Sequence, residues 1–343
     1  MAELIINRDK LTQLLHEIAG GETEVFAPVL KEEATYITKI SQDTPIHYDF
    51  FISVNSVKEA IFPRYEPILK YKIDQEGVKL EDIPPMKPIV LFGGHPCDAA
   101  SLMVMEKLFG WDYNDHFYLD RRNKTIVITL ACNEFDKDCF CTSLGYSPHG
   151  EVGSDIVLES ISKEAWKAKA VTDRGKEFIE KHNTYFAASD KPDASFKTIG
   201  DKDIPVNFDK DAVKPWIKEN FESEEWQKLT SKCWSCAACT YVCPTCHCFD
   251  ITDDASMWSG IRTKNWDACT MPIFTLHASQ HNPREAYYQR YRQRIAHKYS
   301  YYVDLFNVIS CTGCGRCSRV CGAGMNILEI LTRISSLAKK GGK

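Results

Sequence analysis

The sequence has no apolar run near the roughly 18 residues that a membrane-spanning helix requires; a stretch such as "PIVLFGG" is far too short. It has no G-x-G-x-x-G after a strand and no G-x-x-x-x-G-K-[ST], so neither a dinucleotide fingerprint nor a phosphate-binding loop is present. Charge of one sign is also missing. Charged residues make up 26% of the chain and the net charge is −5, which excludes a global nucleic-acid signature. The opening "MAELIINRDKLTQLLHEI" mixes charged and apolar residues and lacks the apolar core of a signal peptide, so the expected location is the cytoplasm.

Cysteine is what the sequence does have. There are 15 among 343 residues, an odd number, in a chain long enough to build its core without staples. In a reducing compartment, dense and closely spaced cysteines point to metal or iron–sulfur ligation rather than disulfides.

The length suggests two domains. Residues 1–225 read as mixed α/β. "MAELIINRDKLTQLLHEIA" has helical spacing, and "HYDFFISV", "YEPILKYKI", "PIVLFGG" and "KTIVITLAC" read as strands. Asp98 is placed to cap a helix ending near Gly110, "DIVLES" and "AWKAKAVT" to form a hairpin, and "DRGKEFIEKH" to form a helix. The stretch "DASFKTIGDKDIPVNFDKDAVKPWIKENF" reads as a connector. Residues 226–343 read as a helical, cysteine-rich domain with an amphipathic tail, "NILEILTRISSLAKKGGK".

Two cysteine runs share one spacing. Cys233, Cys236, Cys239 and Cys243 follow C-x2-C-x2-C-x3-C, and Cys311, Cys314, Cys317 and Cys321 repeat it. This is the spacing of two-cluster ferredoxins, in which the fourth cysteine of each run serves the other cluster. A zinc ribbon uses two cysteines per knuckle, not four. The runs therefore predict two [4Fe–4S] clusters. The long insertion between them points to an α-helical ferredoxin-like domain. Cys97, Cys132, Cys139 and Cys141 form a second set. Cys97 and Cys132 end two expected buried strands, so a third iron–sulfur cluster is expected there. Cys246, Cys248 and Cys269 stay open between metal ligands and buried thiols, since three cysteines are one short of four. The basic segment with Arg284, Arg290, Arg292, Arg294 and Lys298 is open between a solvated helix, a docking face, and buried cations supporting anionic clusters.

The quoted runs, together with "GGHPCDA", "TLACNEFDKDCFCTSLG", "CPTCHCFDITD" and "WDACTMPIF", resemble the iron–sulfur beta subunits of sulfhydrogenase-type [NiFe] hydrogenases and the corresponding iron–sulfur subunits of anaerobic sulfite reductases. The resemblance implies an electron-transfer role within a multi-subunit complex. The chain would relay single electrons between two neighbours: an FAD-containing, ferredoxin-NADP-reductase-like subunit, and a terminal catalytic subunit. That terminal subunit would be a hydrogenase, a sulfite reductase or a heterodisulfide-reductase-like enzyme. FAD is expected only in the partner, and neither nucleic acid nor a membrane span is expected. Two departures stand out. His95 replaces an arginine common in relatives, which is expected to weaken an anion contact near Cys97. Gly322 replaces a proline, which is expected to loosen the turn after the second run. The alternatives are a zinc-bearing interaction scaffold, or a redox enzyme with a special cluster near Cys246–Cys269.

Overall fold

The computed structural model describes residues 3–81, 83, 86–189 and 198–341. Its larger sheet has eight strands: β1 (Glu3–Asn7), β2 (Glu24–Lys31), β3 (Ala34–Lys39), and then β6 (Ile89–Gly94), β7 (Thr125–Leu130), β8 (Ile156–Ser160), β9 (Ala165–Ala170) and β10 (Ala187–Ser189). They lie in the order β10-β1-β9-β8-β7-β6-β2-β3. The central four, β2, β6, β7 and β8, run parallel, and the outer pairs are antiparallel. Every residue of β6 is buried, as expected of a strand covered on both faces. β6 and β7 carry the chain to one edge of the sheet, where Cys97 and Cys132 follow. The β8–β9 hairpin forms as the sequence suggests.

Local chemistry explains three departures from the expected elements. The amino-terminal stretch splits into β1 and a helix, Arg8–Ala19, because the Asn7 side chain accepts the Lys10 N–H and caps the helix there. "HYDFFISV" forms no strand. The Asn55 side chain bonds both the N–H and the C=O of Ile37, taking the backbone groups a ladder would use. The helix after β6 spans Pro96–Phe109 with His95 as its N-cap. Asp98 sits three residues in and accepts the His95 N–H, so it closes the cap rather than starting it.

The insertion between the cysteine runs is not wholly helical. It begins with a hairpin, β11 (Phe249–Ala255) and β12 (Ser259–Trp266), which joins β4 (Tyr65–Asp74) and β5 (Gly77–Glu81) in a second antiparallel sheet ordered β11-β12-β4-β5. Strands from distant parts of the chain are thus paired. Lys264 on β12 and Glu66 on β4 form a buried ion pair at 2.9 Å across them. Loops with one 3-10 turn, Pro272–Thr275, come next, and then a continuous helical rod, Tyr287–Ala296 followed by a π-turn, His297–Tyr301, and Tyr302–Phe306.

One hydrophobic core lies on the eight-stranded sheet. Another surrounds the rod and the helix Ile327–Gly341. This second core reaches back to Phe208, Val213, Trp216 and Ile217, and it takes Phe140 and Leu144 from the first half. The expected connector is therefore not free of packing: it seats Ile204, Phe208 and the helix Val213–Glu219 against the rest of the protein; residues 190–197 lie outside the described residues. Among the described residues no helix is long and apolar enough to cross a membrane.

Candidate iron–sulfur sites

The sequence echo is an echo of backbone. Ser235 and Ala237 in the first run have φ of 56° and 65°, and Gly313 and Gly315 hold the matching positions of the second run at 70° and 72°. Left-handed Ser and Ala are costly, roughly 1–2 kcal/mol each, so such a conformation persists only where surroundings enforce it. A single helical turn follows in both runs, Ala238–Tyr241 and Arg316–Arg319. Such turns present backbone N–H groups toward an anion.

The runs also exchange their last cysteines. Cys243 lines one cavity with Cys311, Cys314 and Cys317. Burial raises the Cys233 and Cys239 thiols; nearby Cys321 and Cys236 push Cys233 further up, and Cys233, Cys243 and Cys236 do the same for Cys239. The inner set is deeply enclosed, and burial pushes Cys314 and Cys317 up to about 11. The outer set opens to solvent at Cys236. Cations face these thiols. Among the described residues the Nε and Nη1 groups of buried Arg294 have no hydrogen-bond partner, and its side chain lines the inner cavity. Lys298 donates to Cys243 Sγ at 3.3 Å. Two buried cations aimed at a space walled by four thiols suit an anionic iron–sulfur cluster.

Cys97, Cys132, Cys139 and Cys141 converge on another cavity, and Cys314 of the second run lines it too. The loop carrying Cys139 and Cys141 rests directly on the second run. Phe140 N–H donates to Gly313 O at 3.0 Å, and a Cβ on Gly313 would lie 2.5 Å from Cys141 N. Only glycine admits that approach. Arg316 anchors the other side: it pairs with Asp98 at 2.6 Å and also donates to Ser53, all buried. Arg319 pairs with Asp136 and donates to Cys139 Sγ at 3.2 Å. Burial raises the Cys97 thiol well above its ordinary range, against which Arg316 acts in the lowering direction.

The two departures at His95 and Gly322 now have a physical account. His95 contacts the carbonyls of Leu130 and Phe51 at 3.0 and 2.9 Å and holds two loops together. The cation near Cys97 is Arg316, whose charge is paired with Asp98. After the second run the turn closes without proline: Gly324 N–H donates to Cys321 O at 3.0 Å with φ +67°, and Met325 N–H reaches Cys321 Sγ at 3.3 Å.

Cys246, Cys248 and Cys269 form contacts in pairs. Cys246 hydrogen-bonds Cys243, and with Lys298 and Arg294 nearby this holds Cys243 well below its ordinary value. Cys248 pairs with Cys269, a contact that together with Lys298 and Lys58 lowers Cys248 to about 7. Among the described residues no three His, Cys, Asp or Glu side chains converge as a single-ion site. His247 turns away, against Thr245 O at 3.0 Å and the His297 ring. Lys58 donates to Cys246 O at 2.8 Å and lies 4.0 Å over the Trp266 ring; burial pushes it down to about 8.

The basic rod is not a solvated helix, because Arg290, Arg292, Arg294 and Lys298 are all buried. Arg290 ties the carbonyls of Thr270, Arg284 and Glu285 to Ser235 Oγ. Lys58 and Asp136 carry no mark in the sequence, and Asp98 is marked there only as a helix cap, not as a partner of Arg316. Arg316, sitting inside "CTGCGRC", was the available signal that a buried carboxylate should face it.

Crossed cysteine runs on paired left-handed turns define a dicluster iron–sulfur protein, and the family model described as a 4Fe-4S dicluster domain matches residues 232–325. The chain is 30% identical over 250 residues to sulfhydrogenase 2 subunit beta of Pyrococcus furiosus, covering 71% of this chain and 73% of that one. It belongs to the family of sulfhydrogenase beta subunits, iron–sulfur electron-transfer proteins with mixed sheets and helices and a carboxy-terminal ferredoxin-like domain. No solved structure matches it.

Proposed function

We propose that the chain relays single electrons through three iron–sulfur clusters arranged in a line. Cys233, Cys236, Cys239 and Cys321 hold the outer [4Fe–4S] cluster, and Cys311, Cys314, Cys317 and Cys243 hold the inner one. Cys97, Cys132, Cys139 and Cys141 hold the third. The observation that carries this reading is Cys314, which lines both the inner cavity and the amino-terminal one, so the two sites share a wall.

The clusters, when bound, supply one-electron chemistry. The protein's residues do the rest. The hydrophobic core around Phe140 and Tyr299 keeps water from the inner set, and Arg316 and Arg319 fix the loops that carry the amino-terminal set. Cys236, exposed beside Trp234, offers an outlet at the surface. Where a pyridine nucleotide is the electron source or sink, a flavin-bearing partner must split its hydride pair into single electrons. We therefore place the chain in a cytoplasmic complex between an FAD-containing, ferredoxin-NADP-reductase-like partner and a catalytic one. For the catalytic partner, a hydrogenase is favoured by the name of the Pyrococcus furiosus relative.

Iron and sulfide analysis of anaerobically prepared protein tests the reading. Three [4Fe–4S] clusters require about twelve irons per chain, and the joint substitution C132S/C139S is expected to bring the count to about eight. A wild-type count below about eight would overturn even the two-cluster core.

A further inference from the structure

Lys298 is fully buried on the rod, and its ammonium has three contacts. It donates to Cys243 Sγ at 3.3 Å, to Thr245 Oγ1 at 2.9 Å and to Ser310 O at 2.9 Å. Among the described residues no carboxylate pairs with it. Other buried cations near the cysteines differ in a way that matters. Arg316 is neutralised by Asp98, and Arg319, though it reaches Cys139 Sγ, is neutralised by Asp136. Arg294 donates to Cys239 O at 3.3 Å while lining the inner cavity, so it stands between the outer and inner sets. Lys58 donates to carbonyls rather than to a sulfur. Lys298 thus brings a full positive charge, without an acidic partner, onto a sulfur of the inner set.

We infer that Lys298 sets the reduction potential of the inner cluster, acting on that cluster and not on the outer one. The inference rests on the two-cluster assignment above. An electron added to a buried cluster adds negative charge where water cannot stabilise it, so burial alone makes reduction difficult. A fixed cation donating to a ligating sulfur stabilises the reduced form more than the oxidised one. Thr245 and Ser310 hold the ammonium in place beforehand, so little reorganisation accompanies electron arrival. The outer cluster has solvent at Cys236 and needs no such charge. Lys298 is a positioning residue in this sense: it touches the ligand, not a substrate, and it governs whether an internal hop is downhill.

The test is a redox titration of the full-length protein followed by electron paramagnetic resonance, comparing wild type with K298M and K298R. K298M is expected to shift the inner reduction equilibrium at least tenfold toward the oxidised form, which is 59 mV more negative for a one-electron couple. The outer midpoint should stay in place, and K298R should restore most of the inner one. An inner midpoint unmoved in K298M, or equal movement of both clusters, overturns the inference. Should K298M lose the inner cluster, K298Q, which keeps an N–H donor but not the charge, is read in the same way. Loss from both neutral variants with retention in K298R would also overturn it, making Lys298 a structural anchor alone. A wild-type protein lacking two paramagnetic clusters would instead refute the underlying assignment.

Discussion

At the scale of single residues, the pair Arg316–Asp98 fastens the two halves of the protein. Both side chains are almost wholly buried, so removing one charge leaves the other stranded in a low-dielectric interior. D98N is expected to cost about 3–5 kcal/mol of stability, read as a lowered denaturation midpoint. A cost under about 1 kcal/mol would show that the pair is dispensable. Gly313 makes a second point. At φ +70° with Cys141 N only 2.5 Å from where a Cβ would sit, G313A must push back a neighbouring backbone rather than a flexible side chain. The expected result is displacement of the 138–141 loop. About four irons would then be lost per chain while both ferredoxin-type signals survive, as measured by iron analysis beside resonance spectra. Neither residue's partner was legible in the sequence. The spacing of the cysteines revealed Gly313 as part of a cluster loop, but not that a loop from the first half rests on it.

Among the elements, the rod from Tyr287 onward carries the most consequence. Its buried cations Arg290, Arg294 and Lys298 recur every four residues, which aligns them on one stripe facing the first cysteine run. The segment's helical character, without Gly or Pro after Pro283, is legible in the sequence, yet that alone cannot say whether a basic stripe faces water or a buried anion. The neighbouring thiols decide that. Arg290 illustrates the difference, since its guanidinium satisfies three backbone carbonyls and Ser235 Oγ. R290M is expected to cost about 1.5–3 kcal/mol, the range for hydrogen bonds to a charged group. It should also speed amide exchange in residues 270–286, and unchanged protection there would rule out the stitching role. The hairpin β11–β12 was missed for a related reason. Its strand character depends on pairing with β4, some 190 residues away, and β11 is exposed throughout. A solvent-facing edge strand carries little periodic signal of its own.

For the whole molecule, the second core dictates what can be separated from what. It contains Phe140, Leu144, Phe208, Val213, Trp216 and Ile217, all before residue 226. A fragment of residues 226–343 would expose the faces these side chains cover. We expect it to aggregate or to lose its inner cluster, judged by size-exclusion chromatography with iron analysis. A monodisperse fragment with about eight irons would show the dicluster unit to be autonomous.

By itself the sequence determined the chemistry. Fixed spacings of cysteine compel short loops to wrap a cluster, and the paired turns at Ser235–Ala237 and Gly313–Gly315 follow from that local constraint. The buried strands β6 and β7 and their delivery of Cys97 and Cys132 to one edge were legible too, because a continuous apolar run between polar breaks is a local signal. The crossing of each run's fourth cysteine was expected from the spacing; tertiary structure alone decided that Cys314 is shared between two cavities, and that among the described residues Lys298 has no acidic partner while Arg316 and Arg319 do. These are matters of distance between residues far apart in the chain. Charge and burial, which govern a cluster's potential, are set by neighbours in space rather than in sequence.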